Sequence, residues 1–344
     1  MSESIQGIHH LTGIAGDAQR NLDFYTRVLG LRLVKRTVNF DDPGTYHFYF
    51  ADETGTPGTI MTFFPWAQAK RGTRGLGQVA VVGFSVPADT LGYWKERLEG
   101  AGTSVSAPFR RFDEEVLTFL DPDGLQLELA ARDEMAALPA WEGGPVPAQQ
   151  AIRGFSAPTL LLANAEGSAN LLAKTFGLRQ IDQQGPRMRF RGEASSGSLV
   201  DIEVRPNEQR GRMGPGVMHH IAWRTRDDQS QLEWREKLIG LGYEVTPVMD
   251  RQYFHSIYFR EPGGVLFEIA TDPPGFTLDE TVEELGHALR LPPWLESRRA
   301  EIEGILPPLT FDEPRHKEPG RKEPKLEAPK REPTPRSEHQ KQDR

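Results

Sequence analysis

The sequence contains no cysteine. Disulfide scaffolds, thiolate metal sites, iron–sulfur clusters and cysteine nucleophiles are therefore excluded. Any metal must be held by His, Asp, Glu or Tyr. No run of about 18 apolar residues occurs, so no membrane-spanning helix is expected. The opening residues, 1–7, have neither a basic nor an apolar region, so they do not read as a signal peptide and the expected location is cytoplasmic. Residues 315–344 have no aromatic residue and one large aliphatic, Leu326. Such a segment cannot bury enough apolar surface to offset chain ordering, and a disordered charged tail is expected over 313–344, a solvated extension rather than a partner-binding arm. Basic charge is also scarce outside it. The tail carries ten Lys/Arg and six Asp/Glu, whereas the other 314 residues carry 31 against 43. An acidic body argues against nucleic-acid binding.

What remains is a body of repeats. At 344 residues the chain has room for two domains or one large one. Four segments share an order: an apolar strand, a short helix ending near glycine, then strands rich in β-branched and aromatic residues. They begin near Gly7, Gly77, Gly154 and Gly216. Helices are expected over 18–29, 90–99, 167–176 and 229–239, followed by Gly30, Gly100, Gly177 and Gly240. Residues 120–128 (LDPDGLQLE) match 260–268 (REPGGVLFE), each an acidic-Pro turn leading into a strand that ends in Glu. The fold class is α+β: four βαβββ modules over 5–68, 75–135, 150–206 and 214–274. Two helices, 278–289 and 294–306, are expected within a C-terminal segment over 275–312.

Nine histidines are present, four of them in the adjacent pairs His9-His10 and His219-His220. Both pairs stand at the same place on the first strand of their module. Strand alternation sends one member of each pair to the concave side and the other away. A lone strand histidine is usually structural; two pairs at equivalent repeat positions shift the reading toward function. The first-strand slots hold His10, Val81, Ala157 and His220. The last-strand slots are read as Phe63, Glu128, a residue near Asp201, and Glu268. Segments one and four alone bring His, His and Glu together, so Glu128 reads as a structural relic or a surface acid. His10, His220 and Glu268 make a two-histidine-one-carboxylate set, which binds a divalent first-row metal and leaves coordination positions open. Phe63 in the fourth slot cannot complete the shell.

The repeated layout and the Glu261-Pro262-Gly263-Gly264-x3-Glu268 strand resemble the vicinal oxygen chelate (glyoxalase/bleomycin resistance/extradiol dioxygenase) superfamily. Ile257-Tyr258-x2-Glu261-Pro262-x-Gly264-x3-Glu268 matches the latter part of the extradiol ring-cleavage signature; His255 does not fall at its upstream histidine. Residues 8–12 (IHHLT), 33–41 (LVKRTVNFD), 46–59 (YHFYFADETGTPGT) and 217–222 (VMHHIA) are similar to the hydroquinone ring-cleaving branch. The resemblance spans about residues 5–275. It implies a non-haem Fe(II) enzyme, with Mn(II) as the alternative metal, that inserts both atoms of O2 into a hydroquinone-type diol. It places the metal ligands on His10, His220 and Glu268. It places supporting polar residues on His9, Thr12, His219, Arg251 and Tyr258. It also implies that modules one and four form the metal site, and that modules two and three pair as the second pseudo-symmetric unit.

Ordinary readings stay open for these supporting positions: a half-buried strand tyrosine, a solvated turn arginine, outward-facing histidines, a strand threonine. His47 reads as structural and His255 as a pocket residue. A catechol dioxygenase, a glyoxalase-type isomerase and a non-catalytic binding protein are the competing functions. Nothing in the sequence decides between a monomer and a homo-oligomer.

Overall fold

The computed structural model describes residues 4–311; the tail expected from 313 onward lies outside them. The four modules contribute β1–β4 (Ile8–Ala15, Arg32–Asn39, Asp42–Ala51, Ile60–Pro65), β5–β8 (Gln78–Pro87, Phe109–Arg111, Glu114–Leu120, Gln126–Arg132), β9–β12 (Thr159–Leu162, Arg179–Gln184, Arg187–Arg191, Leu199–Val204) and β13–β16 (Val217–Thr225, Met249–Asp250, Phe254–Arg260, Leu266–Pro274). They build two curled eight-stranded sheets. One runs β14-β15-β16-β13-β1-β4-β3-β2, the other β10-β11-β12-β9-β5-β8-β7-β6. The first sheet thus joins strands from the two ends of the chain, and the second joins the middle.

Each module opens with a helix after its first strand: α1 (Ala18–Asp23), α2 (Leu91–Gly100), α3 (Glu166–Asn170) and α4 (Asp228–Gly240). The first and third expected helices continue as π-helical turns, Phe24–Val28 and Leu171–Thr175, whereas α2 and α4 stay regular. The widened turns stand at equivalent positions in modules one and three. The helix faces and the backs of the sheets share one apolar core. Phe176 packs against Trp223 and Trp234 at 5.5 Å between ring centroids, tying module three to module four. Contacts of this kind replace water with close-packed apolar atoms and supply most of the folding free energy.

The helix expected over 278–289 is absent. A short 3-10 turn, Phe276–Leu278, leads into a series of turns, and Leu289 bridges to Arg36 on β2. Tertiary ties override the local helical pattern here. Lys35, fully buried, binds Asp279 at 2.6 Å, the Phe276 carbonyl at 3.0 Å, and Glu280. Phe276 and Leu285 join Tyr49, Tyr253 and Phe254 in a separate apolar cluster. The second C-terminal helix is shorter than expected, with α5 confined to Arg299–Ile305. It stops at Leu306, just before Pro307-Pro308, as the restriction on pre-proline residues requires.

Candidate metal centre

β1 and β13 pair antiparallel at the middle of the first sheet, and each carries one histidine pair. Simple alternation fails at both pairs. Ile8 faces Trp223 and His10 faces Ala222, which leaves His9 as an extra residue on β1; Thr12 faces His220 and Gly13 faces Met218, which leaves His219 as an extra residue on β13. These are two symmetric one-residue bulges, and a bulge re-aims the side chains beside it. The expectation that one histidine of each pair turns away is corrected for His219, which lines a pocket beside His220, whereas His9 does lie away from it. His9 and His10 meet Nδ1 to Nδ1 at 2.9 Å, and His219 and His220 do the same at 2.7 Å.

The outer nitrogens converge. His10 Nε2 lies 3.2 Å from His220 Nε2; Glu268 Oε2 lies 3.3 Å from the first and 2.9 Å from the second. All three residues are at most 5% exposed. Glu268 faces Ala222 on the parallel neighbour β13, two residues beyond His220, and so reaches the same side of the sheet. Ser256 donates a 2.5 Å hydrogen bond to Oε1, which turns Oε2 toward the imidazoles. Burial alone would raise the Glu268 pKa, but His10 and His220 hold it well below the usual carboxylate range. Burial, with the neighbouring histidines, lowers the pKa of His9 and His219, the latter to about 3.

This donor set fits a divalent cation. When each inner histidine donates Nδ1–H to its neighbour, both Nε2 lone pairs face a carboxylate oxygen that has no aligned hydrogen-bond donor of its own. Three converging lone pairs in a buried site repel unless a cation lies among them. His10, His220 and Glu268 are the one such cluster among the described residues.

The fourth slot is corrected as well. β1 pairs with β4 through Thr12 and Thr62, the register that matches Ala222 and Glu268 in the other half. The slot is therefore Thr62, one residue from the expected Phe63. Phe63 points into the core, 4.6 Å from the ring of Tyr25. A neutral threonine hydroxyl also leaves the donor set at three charged or imidazole ligands. Thr62 Oγ1 lies 2.8 Å from Thr12 Oγ1 and 3.0 Å from His47 Nε2, and His47 Nδ1 lies 2.8 Å from the Tyr49 hydroxyl. His47 is thus part of the site rather than a remote structural residue, and burial keeps it neutral. Tyr49 faces Thr62 across β3 and β4, and His47, two residues earlier on the same face of β3, is identified by that alternation.

A pocket of about 220 Å³ opens beside these groups. His10, Thr12, His47, His219, His220, Arg251 and Tyr258 all face it; His9 does not. His9 lies behind, 5.1 Å from the Phe254 ring, and hydrogen-bonds to the backbone at Thr271. Tyr258 stands opposite Glu268 on β15; burial and the Glu268 charge push its pKa up, so it stays a donor. Arg251 lies 5.7 Å from the Tyr258 ring centroid and pairs with Asp41 at 3.0 Å. Burial opposes the Arg251 charge, but Tyr258 and Asp41 more than offset it and its pKa is raised. His255 is corrected out of the pocket: its Nδ1 meets Asp228 at 2.6 Å.

The second sheet repeats the geometry without the histidines. Its slots are Val81 and Ala157 on the first strands, with Glu128 opposite Gly83 and Asp201 opposite Thr159 on the last. Glu128 is buried, not a surface acid, and pairs with Arg111 at 2.7 Å. Asp201 takes two hydrogen bonds from Arg189 and one from Arg187. Guanidinium groups neutralise the carboxylates here.

Comparison with known proteins agrees with this architecture. The family model "Glyoxalase/Bleomycin resistance protein/Dioxygenase superfamily" matches residues 7–129 and 158–269. MhqO of Bacillus subtilis, described as a ring-cleaving dioxygenase, is 49% identical over 308 residues, covering 89% of this chain and 98% of that protein. The chlorohydroquinone/hydroquinone 1,2-dioxygenase of Sphingobium indicum is 36% identical over 311 residues, covering 88% of this chain and 96% of that protein. A Bacillus subtilis crystal structure described as a dioxygenase superposes with a TM-score of 0.86 at 48% identity, covering 90% and 98% of the two chains. Maize glyoxalase I shares the fold alone, with a TM-score of 0.60 at 15% identity over 82% of this chain and 97% of that one. No helix among the described residues is long and apolar enough to cross a membrane. The chain belongs to the glyoxalase/bleomycin resistance protein/dioxygenase superfamily, as one of its ring-cleaving dioxygenases.

Proposed function

We propose that this chain cleaves a hydroquinone-type aromatic diol with O2, using Fe(II) held by His10, His220 and Glu268, with Mn(II) as the alternative metal. The observation that carries the reading is the convergence of three buried lone pairs beside a pocket whose fourth slot is only a threonine. A glyoxalase-type isomerase generally adds a fourth charged ligand; a binding protein has no use for the triad. Held by these three residues, the metal would supply Lewis acidity toward a phenol and reactivity toward O2.

The protein groups do the rest. Tyr258 donates a hydrogen bond to the phenolate oxygen, and Arg251 offers positive charge where negative charge gathers on oxygen during cleavage. His219 accepts at Nδ1 from His220, so its Nε2 carries a proton that faces the pocket. His9 donates a hydrogen bond to the backbone at Thr271 and serves to orient His10. Thr12 shares a hydrogen bond with Thr62 at the fourth slot. Polar groups stand on both arms of the curled sheet: Tyr258 and Arg251 toward the β15 end, His47 and Tyr49 on β3. A diol with hydroxyls at opposite ends of the ring meets both arms, whereas a catechol presents its oxygens on one edge. The ring supplies the electrons that O2 takes up, both oxygen atoms stay in the open-chain product, and no external reductant enters.

Oxygen uptake with hydroquinone, methylhydroquinone and catechol tests this. The expected result is kcat/KM at least about tenfold higher for the hydroquinones, a difference of about 1.4 kcal/mol in transition-state stabilisation. Higher kcat/KM for catechol would overturn the substrate assignment. Ser256→Ala is expected to weaken metal binding by about 10–100-fold without unfolding the chain, because the Glu268 carboxylate loses its orienting hydrogen bond. A competition titration against a metal chelator measures that change.

A further inference from the structure

We propose that the cup of the second curled sheet, where the metal slots have lost their histidines, binds a small organic carboxylate. The cup is a recess of about 490 Å³. Five arginines face it, Arg74, Arg110, Arg111, Arg187 and Arg205, against two acids, Glu128 and Glu203. That excess of positive charge stands out on a chain whose net charge is −8.

The inner guanidiniums are committed. Arg111 pairs with Glu128, and Arg187 pairs with Asp201 and Glu203, so the carboxylates left in the old metal slots are already neutralised. Arg74 and Arg110 are different: both are exposed, both face the recess, and neither has a side-chain partner among the described residues. Arg111 adds an inner donor. Its residue is only 7% exposed, and its Nε is buried with no hydrogen-bond acceptor. A planar guanidinium matches a carboxylate through two parallel hydrogen bonds, which makes arginine the residue suited to this anion. Phe109, 42% exposed, with Val81 and Pro186, gives the same recess an apolar wall. Guanidinium beside hydrocarbon fits an organic acid better than a bare inorganic anion. Ring opening in the first cup releases a compound of this class; that link rests on the proposed ring cleavage, whereas the binding itself does not.

Isothermal titration of the full chain with cis,cis-muconate, benzoate and inorganic phosphate is the test, run on the wild type and on His220→Ala, where a carboxylate cannot use a metal in the first cup. The expected result is saturable binding of about one carboxylate per chain in both proteins. The double variant Arg74→Gln/Arg110→Gln is expected to weaken it at least tenfold while leaving the denaturation midpoint unchanged, since both side chains are exposed and unpaired. Absence of saturation by either carboxylate at millimolar concentration overturns the proposal. So does binding that the double variant leaves intact, which places the ligand elsewhere. Phosphate binding as tightly as the carboxylates would reduce the cup to a general oxyanion patch and overturn the ligand class.

Discussion

His220→Ala is expected to leave the purified protein with almost no bound metal and to lower oxygen consumption on its diol substrate by at least about 10³-fold. The size follows from the several kcal/mol of charge stabilisation that a catalytic metal contributes, each 1.4 kcal/mol or so being worth a factor of ten. With His220 gone, two donors remain, and the fourth slot adds only the neutral hydroxyl of Thr62. The fold should survive. Removing the imidazole takes away one of the two groups that hold the buried Glu268 carboxylate charged, so the metal-free state is expected to stay folded with a modest loss of thermal stability. Metal analysis, oxygen electrode traces and an unfolding curve on the same preparation read all three quantities. Full metal content with lost activity would mean that His220 acts on substrate rather than on metal.

The second large effect lies in the other sheet. Asp201→Ala is expected to cost about 3–5 kcal/mol of stability, because it strands a buried charge rather than merely deleting a contact. Arg189 is 2% exposed and gives Asp201 its Nε at 2.8 Å and an Nη at 3.0 Å. The same Nη lies 2.7 Å from Glu114, and Arg187 leans on the same aspartate at 3.1 Å. Without Asp201, Arg189 keeps only Glu114 as an acidic partner and Arg187 only Glu203, and the buried Arg189 loses its two-point partner. The partner variant Arg189→Met with Asp201→Leu is expected to cost much less than the two single changes added together, since apolar packing replaces the whole pair. Urea denaturation with unchanged slope measures both. A cost under about 1 kcal/mol for Asp201→Ala would show that water enters and relaxes the network. Metal content should be untouched, the triad being built on the other sheet.

Much of the site was legible because the chain repeats. His10 and His220 stand at equivalent first-strand positions and Glu268 in the last-strand slot of its module, and the three converge in space. The pairing of the outer modules in one sheet follows the same logic. The errors came from features that a single strand does not encode. A bulge belongs to a pair of strands, so nothing local to His9 or His219 announces that alternation breaks there. Phe63 and Thr62 differ by one position, and in a strand a slip of one residue exchanges core for pocket. Register across β1 and β4 decides between them, and register is a tertiary fact. His47 carried no motif of its own; its place depends on Thr62 lying beside it. The segment 278–289 has helical spacing, but Lys35 draws Asp279 and Glu280 onto β2, and that buried charge cluster outweighs a preference worth only tenths of a kcal/mol per residue.

Both atoms of dioxygen are expected to enter one product at the His10–His220–Glu268 centre. The most direct measurement is a single-turnover reaction of the iron-loaded chain with hydroquinone under ¹⁸O2, followed by mass spectrometry of the open-chain product. The expected product retains two heavy oxygen atoms, after trapping of its aldehyde oxygen before exchange with water. A product that carries none, formed at the same rate without oxygen, would rule out ring cleavage by O2 and return the chain to the isomerases that share its fold.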